Sequence, residues 1–224
     1  MTVKDISHDA PPASYEAFLA LAQDRRSVYQ LSASSPVPDS KIQEIVSNAV
    51  LHVPSCFNTQ STRLVLLLHD EHRKLWDITM KIFEEGLVPD GKVPKEMWES
   101  HTKPKLGLFK AAYGTILFFE DPAHVRGLAE KFPTYKDYFG PWTEHTNAMH
   151  QYHLWVALRS VGLAANLQHY NQLIDDEVAK TWCLPSEWRL VAQMVFGTAT
   201  GEPAEKTFKP VEERVKVFGS KAQI

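Results

Sequence analysis

One long helical segment, residues 143–161, constrains the fold of this chain more than any other part of the sequence. Its N-terminal half is amphipathic, with Met149 and Tyr152 on one side, whereas the turn from Leu154 to Leu158 is apolar around the whole helix. An all-round apolar helix is buried on every face. One small sheet supplies too little cover, so the pattern favours a second subunit packed against this helix. Gly162 then stands where a C-cap glycine belongs.

A first, shorter helix is predicted near the N-terminus. Ser14 caps it, and it ends near Arg25. Its apolar residues have the spacing of a helix that lies on a core: Tyr15, Phe18, Leu19 and Ala22. We therefore expect the core of the chain to cover this side of the helix.

A second helix is predicted from Asp39 to just before Pro54. Ser40 and Gln43 form a capping-box pattern at its start. Its apolar face comprises Ile42, Ile45, Val46, Ala49 and Val50. The spacing again indicates a helix with one side on a core.

Short apolar runs rich in β-branched and aromatic residues predict strands at 63–68, 113–119, 163–167 and 190–196. A helix is expected between the first two strands, followed by a mobile excursion over residues 88–104. Helices and strands do not alternate regularly, which favours the α+β class over a doubly wound fold. No GxGxxG or GxxxxGK[ST] motif occurs, so a Rossmann-type dinucleotide site is not expected.

The composition is that of an ordinary globular domain. Of 224 residues, 44% are hydrophobic and 23% are charged, and the formal net charge of -3 gives no reason to expect binding to nucleic acid or membranes. No apolar stretch approaches the roughly 18 residues of a spanning helix, and no export signal is recognised. We expect a cytoplasmic protein with reduced Cys56 and Cys183. A flexible N-terminus, residues 1–13, precedes a single domain, residues 14–224.

Two short polar motifs carry the functional prediction. Arg25-Arg26-Ser27 places two cations and a hydroxyl at the exit of the first helix, an arrangement suited to a phosphate group. About thirty residues later, Pro54-Ser55-Cys56-Phe57-Asn58-Thr59-Gln60 forms a polar loop that can present hydroxyl, amide and backbone groups to a planar heterocycle. A charged helix end and an Asx-rich turn are the structural alternatives.

Together the motifs resemble the flavin-binding elements of the FMN-dependent nitroreductase family. In that family an Arg-[Arg/His]-Ser element holds the phosphate and ribityl chain, and a Pro-Ser-x-x-Asn-x-Gln loop reaches the flavin bound by the other subunit. The resemblance implies that FMN is contacted by Arg25, Arg26, Ser27, Pro54, Ser55, Cys56, Asn58 and Gln60. It also implies a homodimer with two FMN sites at its interface.

A third element of the resemblance follows the long helix. By register, Gln168, His169 and Tyr170 occupy the place where the family runs a short segment across the flavin and offers backbone N–H groups to its N5 atom. Many members carry an acidic or small residue followed by Gly there, so His169-Tyr170 implies a different shape on the substrate side. A surface or core histidine is the alternative for His169.

The C-terminal element matches the family only in part. Lys206 corresponds to the Lys of a Lys-x-Arg that closes on the phosphate, Phe208 replaces the Arg, and Lys209 is expected to restore the charge. The alternative is a solvated charged tail. Tyr29 stands where many members place a cation near the flavin N1 and O2 atoms, which predicts a lower flavin potential. With the Asn166–Asn171 segment, this similarity indicates a subgroup of fungi and lactic bacteria that includes a yeast protein of fatty-acid repression.

Two other groups of residues do not predict a site of their own. His145, His150 and His153 cluster on the long helix, but no carboxylate completes an H-E-x-x-H pattern, so no metal is expected. Cys56 has no paired cysteine or fixed base, so an inert, partly buried thiol is expected.

The resemblance implies an α+β, nitroreductase-like fold: a central, mostly antiparallel sheet flanked by helices, in an intertwined homodimer whose C-terminal segment reaches the partner. It implies an oxidoreductase with a ping-pong mechanism, in which NAD(P)H passes hydride to flavin N5 and a nitroaromatic or quinone is then reduced in the same place. No side chain acts as obligatory acid or base. The alternatives are a dehydrogenase or reductase of a dedicated metabolite on the same scaffold, and a non-catalytic flavin protein that stores FMN or reports redox state.

Overall fold

A computed structural model of the chain describes residues 14–220. Its centre is a five-stranded sheet of β1 (Leu31–Ser32), β2 (Thr62–Leu68), β3 (Gly114–Glu120), β4 (Ala164–Gln168) and β5 (Arg189–Ala199). β5 pairs with β1, β3 and β4, β3 also pairs with β2, and all of these pairs are antiparallel. The α+β class with a mostly antiparallel sheet is therefore confirmed.

Helices surround this sheet. They are α1 (Tyr15–Asp24), α2 (Asp39–His52), α3 (His69–Ile82), α4 (Lys95–Met97), α5 (Lys103–Lys110), α6 (Pro122–Lys131), α7 (Phe139–Ser160) and α8 (Asp175–Thr181). Short 3-10 turns lie at Cys56–Asn58, Pro133–Tyr135 and Val211–Glu213, and π-helical turns at Phe83–Leu87 and Trp98–Thr102. None of the helices within residues 14–220 is long and apolar enough to cross a membrane.

The four predicted strands are confirmed, with ends displaced by three residues at most. β1 was not predicted, because a strand of two residues is too short to show the alternating pattern of apolar and polar residues. The excursion over 88–104 is largely helical, and its Trp98 is buried and stacks on Phe83 with 5.4 Å between ring centroids. The expected C-cap at Gly162 is also confirmed, since its φ is +84° and Leu163 N–H donates to the Leu158 carbonyl at 3.0 Å.

Hydrophobic cores lie on both faces of the sheet. The core beneath α3, α5 and α8 contains the rings of Trp76, Phe109 and Phe119. The core beneath α2 and α7 contains those of Phe118 and Phe196. Adjacent residues of β3 thus enter opposite cores, as the pleat of a strand requires. Helices therefore cover the sheet on both sides.

The capping box predicted for α2 is wrong. Pro38 is the N-cap residue, so Ser40 lies inside the first turn and makes no cap bond. Asp39 instead accepts a hydrogen bond from the Tyr113 hydroxyl and pairs with His69 at 2.8 Å. These contacts, with the Tyr113 hydroxyl as the largest cause, hold the pKa of Asp39 below its ordinary value. They fasten the start of α2 to the first residue of α3 and to the residue that precedes β3.

The prediction for the apolar side of α1 is wrong for the single chain, and α7 is only partly covered. The apolar side of α1 is not on a core: α1 contacts α7, but none of its residues is buried, and Tyr15 and Phe18 are 68% and 53% exposed. In α7 only Leu154 and Leu158 of the all-apolar turn are buried, and the three residues between them are half-buried.

The first half of α7 turns its polar side toward the protein interior and its apolar side outward, the reverse of the usual arrangement. After the buried ring of Phe139 at its first residue, its buried residues are polar: Thr143, Thr146, Asn147 and His150. Met149 and Tyr152 are more than 40% exposed. The polar side faces inward because its side chains find partners there, among them the carboxylate of Glu120. Residues 14–220 thus leave the apolar side of α7 exposed.

Buried His72 makes the stability of the fold depend on pH. Burial lowers its pKa from 6.5 to about 4, although the backbone at Phe109 and Lys110 raises it in part. The unfolded chain thus binds this proton at higher pH than the folded protein does. Stability is complete above pH 6.5 and decreases as the pH falls toward about 4.

We expect His72→Gln to remove this component of the pH dependence. In urea unfolding, the free energy of unfolding of the unmodified protein should fall by about 2 kcal/mol more between about pH 7.5 and about pH 5 than that of the variant. Exposed His145 supplies the control, and His145→Gln should follow the unmodified protein. Equal pH dependence in the His72 variant and the unmodified protein would contradict the assignment.

Candidate functional site

The Arg25-Arg26-Ser27 motif lies where α1 ends. Arg25 is the C-cap residue, and its guanidinium lies over the ring of Trp155 at 4.5 Å from the centroid. The Arg26 guanidinium donates to the Ala204 carbonyl at 2.5 Å. Both side chains are half-buried, so their charges are held close to the surface of the chain instead of extending into solvent.

A cavity of about 360 Å³ opens beside Arg26. A second cation, Arg159 from the C-terminal end of α7, lines the same cavity and pairs with Asp24 at 2.5 Å. Gly201 and Pro203, which follow β5 in the chain, form another part of the cavity lining. Sequence reasoning missed Arg159 because it lies far from the motif along the chain. Guanidinium groups are the cations best suited to a phosphate, and the carboxylates of Asp24 and Glu202 line the same cavity.

The motif is joined directly to β4. Val28 N–H donates to the Ala165 carbonyl at 3.1 Å, and the Asn166 amide donates to the Val28 carbonyl at 2.9 Å. Gln168 in turn donates to Asn166 at 2.8 Å. The structure therefore brings together the first motif and the Gln168–Tyr170 segment, which sequence reasoning had placed along one flavin.

Tyr29 and Tyr170, two positions at which this chain departs from the family pattern, meet on one ring. Tyr29 lies 6.3 Å and Tyr170 lies 6.5 Å from the centroid of Phe109 in α5. Tyr29 is 44% exposed, whereas Tyr170 is half-buried and burial raises its pKa to about 12. His169, between Gln168 and Tyr170, is exposed. The ring of Phe109 thus contacts both the segment that contains Tyr29 and the segment that contains Tyr170.

The C-terminal lysines lie on a tail without regular structure at residues 200–210. The bond from Arg26 to Ala204 holds the tail beside the first motif, two residues before Lys206. Lys206 lies over the ring of Phe208 at 5.0 Å. Lys206 and Lys209 are both exposed. Lys206 is therefore near the cavity of Arg26, and Lys209 is further along the tail.

The second motif is a strained loop between α2 and β2. Phe57, Asn58 and Gln60 all have positive φ values between 51° and 53°, a region that non-glycine residues seldom adopt. Gln60 N–H donates to the Ser55 hydroxyl at 3.0 Å. Pro54, Asn58 and Gln60 are exposed. Unusual backbone angles are typical of functional sites, and here they turn amide side chains outward.

Both cysteines are free thiols. Cys56, in the strained loop, is half-buried, and its Sγ lies 3.3 Å from Thr59 Oγ1. Cys183 is exposed after α8. They belong to separate parts of the fold.

A buried carboxylate anchors the strained loop. Glu120, only 3% exposed, accepts hydrogen bonds from the Ser61 hydroxyl at 2.6 Å and the Thr62 hydroxyl at 2.7 Å. The Asn147 amide of α7 donates to it at 2.9 Å. Asp121 N–H also donates to the Ser61 carbonyl at 3.0 Å. These bonds fix the end of the loop to both the sheet and α7.

An aromatic patch adjoins the loop. The ring of Phe57, 52% exposed, lies 5.1 to 6.3 Å from four other ring centroids. They belong to Phe132, Tyr135, Phe139 and Trp142. Phe57 is stacked on Trp142, with 19° between the ring planes. The patch presents flat apolar surface immediately beside the polar groups of the loop.

The two motifs are far apart within one chain. The strained loop adjoins Thr62, which pairs with Glu120, and Glu120 pairs with Arg189 at the start of β5. Ser27 pairs with Ala165, which pairs with Phe196 near the other end of β5. Strand spacing and rise put the motifs on the order of 30 Å apart. One FMN cannot contact both motifs of the same chain.

A larger cavity of about 470 Å³ lies between the strained loop, α2 and α7. Ser55, Gln60, Arg63 and His150 contribute its polar lining. Burial lowers the pKa of His150, whose Nδ1 lies 2.9 Å from the Thr146 carbonyl oxygen. Within residues 14–220 no group of three or more His, Cys, Asp or Glu side chains is arranged to hold a metal ion.

The chain is similar to known proteins over most of its length. A model described as the nitroreductase family matches residues 22–198. HBN1 of Saccharomyces cerevisiae, a nitroreductase homologue, is 32% identical over 203 residues, which are 90% of this chain and 96% of HBN1.

Solved structures show the same fold. The nitroreductase CinD of Lactococcus lactis, solved with chloramphenicol and with 4-nitrophenol, is 40% identical and has a TM-score of 0.77, with 90% of this chain and 99% of CinD covered. A nitroreductase-like protein of Desulfovibrio desulfuricans, solved with FMN, has a TM-score of 0.64 at 16% identity, with 92% of this chain and 99% of that chain covered.

We expect Glu120→Ala to destabilise the protein by about 3 kcal/mol, because it leaves several buried hydrogen-bonding groups without a partner. Exposed Glu144, which pairs with Arg189, supplies a matched control, and Glu144→Ala should cost less than about 1 kcal/mol. Urea unfolding of both variants tests the difference. Equal losses would show that Glu120 does not anchor the loop.

Proposed function

The chain belongs to the nitroreductase family of oxidoreductases, and from this we propose that two copies form a homodimer, bind FMN at their interface and transfer electrons from NAD(P)H to a planar aromatic acceptor. The predicted likeness to fungal and lactic-bacterial members is confirmed by HBN1 and CinD. The observation that carries the proposal is the separation of the two motifs within one chain, because a second copy can supply the missing half. A cytoplasmic location stays a prediction.

The first motif and its surroundings fit the phosphate end of FMN. Arg26 and Arg159 line one cavity, Arg25 and Ser27 are next to it, and Lys206 follows on the tail. Guanidinium groups bind phosphate with paired, charge-assisted hydrogen bonds. In this proposal Arg25, Arg26, Ser27 and Lys206 hold the phosphate and ribityl chain, and Lys209 adds positive charge.

The remaining FMN contacts come from two elements. Gln168 ends β4 and is followed by His169 and Tyr170, and Tyr29 contacts Phe109, as Tyr170 does. The strained loop of the partner contributes Pro54, Ser55, Cys56, Asn58 and Gln60 from the opposite side. Held by these residues, FMN would supply the redox chemistry, with N5 as the atom that would take hydride from NAD(P)H before the electrons go to the acceptor. The side chains bind and orient the reactants and exclude water, with no obligatory acid or base.

Exposed apolar surface supports the homodimer. The uncovered faces of α1 and α7 present Phe18, Met149 and Tyr152, and Leu51 at the end of α2 is 71% exposed. The tail adds Phe218, which is 92% exposed. Apolar surface of this extent on one chain is typical of an obligate interface. In the proposal the two α7 helices and the tails are covered by the other copy.

The aromatic patch around Phe57 supports a planar acceptor. Flat rings beside an amide-bearing loop favour stacking of an aromatic ligand. CinD, solved with 4-nitrophenol and with chloramphenicol, supports a nitroaromatic acceptor, and a quinone has the same planar shape. Phe57 was overlooked as a site residue because only its ring contacts, which are distant in sequence, distinguish it from a loop residue.

The visible spectrum of the purified protein tests the proposal. We expect flavin absorbance that bleaches on anaerobic addition of NADPH or NADH and returns when 4-nitrophenol or a quinone is added. A flavin store would stay yellow, or bleach without passing electrons to any acceptor. A colourless protein that neither takes up FMN nor oxidises NAD(P)H would contradict both.

We expect Arg25→Ala and Arg26→Ala each to raise the FMN dissociation constant about 10- to 100-fold, because each removes a charge-assisted bond to phosphate. Fluorescence titration of the FMN-free protein measures the constant. Arg73, which pairs with Asp70 on α3, is a surface control, and Arg73→Ala should bind FMN like the unmodified protein. Unchanged affinity in both motif variants would refute the phosphate assignment.

We expect Phe57→Ala to raise the KM for a nitroaromatic acceptor about tenfold, because it removes one face of the stacking surface. The rate of ferricyanide reduction, which needs no aromatic contact, should change less than twofold. An equal effect on both acceptors would indicate a general defect of the flavin site and would contradict the role of the patch in acceptor binding.

A further inference from the structure

A buried amide holds the segment that follows β4. Gln193 of β5 has no exposed surface, and its Oε1 accepts the backbone N–H of Tyr170 at 2.7 Å. Its Nε2 is buried without a hydrogen-bond partner among the described residues. An unpaired buried donor costs stability. An apolar residue would avoid that cost, but it would leave the Tyr170 N–H without an acceptor.

The ring of Tyr170 is held as firmly as its backbone. It lies 5.8 Å from Trp76 and 6.1 Å from Phe83 between ring centroids, in addition to its contact with Phe109. On the other side of His169, Gln168 is 5% exposed and its side chain donates to Asn166. His169 is thus the exposed residue between two fixed neighbours.

The pattern of strand pairing gives the direction of the free backbone groups. The backbone N–H and C=O of Ala165 point away from β5, because its carbonyl accepts a hydrogen bond from the N–H of Val28, which is not part of the β4–β5 pair. Backbone groups alternate between the two sides of a strand, so Leu167 is directed to the same open edge and His169 is next in that series. Gln168 is paired with Gln193 and Tyr170 is bonded to it. His169 is therefore the residue of this segment whose N–H is available at the edge.

We propose that Gln193 is a positioning residue of the flavin site: its carboxamide oxygen captures the Tyr170 N–H and leaves the His169 N–H as the donor to the flavin ring. This inference rests on the proposed function and deepens it by assigning one donor within Gln168–Tyr170. It also gives a role to a residue of β5 that belongs to none of the sequence motifs.

Amide hydrogen exchange, followed by TROSY NMR with and without FMN, tests the assignment. In the FMN-free protein the Tyr170 amide should be protected and the His169 amide should exchange rapidly. Added FMN should slow exchange at His169 by at least about tenfold, as expected when an open amide gains a hydrogen bond. Protection already present at His169 without FMN, or absent there after FMN binds, would overturn the assignment.

Variants of Gln193 test its positioning role. Gln193→Leu should lose about tenfold or more of the Tyr170 protection and shift the midpoint potential of bound FMN, whereas Gln193→Glu keeps an acceptor oxygen and should retain the protection. Thr79→Val removes another buried side-chain bond, to the Leu75 carbonyl, and should leave the potential unchanged. An unchanged potential and unchanged Tyr170 protection in Gln193→Leu would overturn the proposal.

A failure of the proposed function and a failure of the role of Gln193 give different results. If FMN does not bind, the proposed function fails whatever the exchange pattern is. If FMN binds to Gln193→Leu with the potential and the His169 protection of the unmodified protein, the flavoprotein function stands and the role of Gln193 is refuted.

Discussion

The pairing of β5 with both β3 and β4 is the constraint on which the rest of the site depends. Through β3 its start is tied to Glu120 and the strained loop, and through β4 its far half is tied to the Arg25–Ser27 motif. A paired sheet is stiff, so this separation cannot close by a small movement of one chain. The two halves of a flavin site can meet only if another copy brings its loop to this motif. Homodimer formation is therefore part of the proposed chemistry.

In the strained loop, the cost of unfavourable backbone angles is offset by hydrogen bonds to a residue that is distant in sequence. Three non-glycine residues with positive φ cost about 1 kcal/mol each or more, and the bonds to Glu120 oppose that cost. The result is a rigid display of Asn58 and Gln60 beside the Phe57 ring. Rigid presentation matters in the proposed flavin site, because there the protein would contribute mainly orientation.

Features that depend on neighbouring residues in sequence were predictable. The strands, the glycine cap at Gly162 and both polar motifs follow from short-range pattern, and the family resemblance was carried by the motifs. The Ser40 capping box failed because the N-cap residue is Pro38, two residues earlier. The prediction that the core covers the apolar side of α1 failed, because periodicity shows that a side is apolar but not which chain covers it. Arg159 and Gln193 join the site through tertiary contacts that no local pattern records.

A subunit-complementation measurement tests the central claim, that each flavin site takes its phosphate motif from one copy and its loop from the other. Arg26→Ala and Asn58→Ala each damage both sites of a dimer. After the variants are mixed, dissociated and reassociated, half of the dimers are mixed and contain one intact site, so FMN binding at limiting concentration should recover to about a quarter of the unmodified level. If both elements act within one chain, the mixture contains no intact site, and binding that stays at the level of the separate variants would contradict the account.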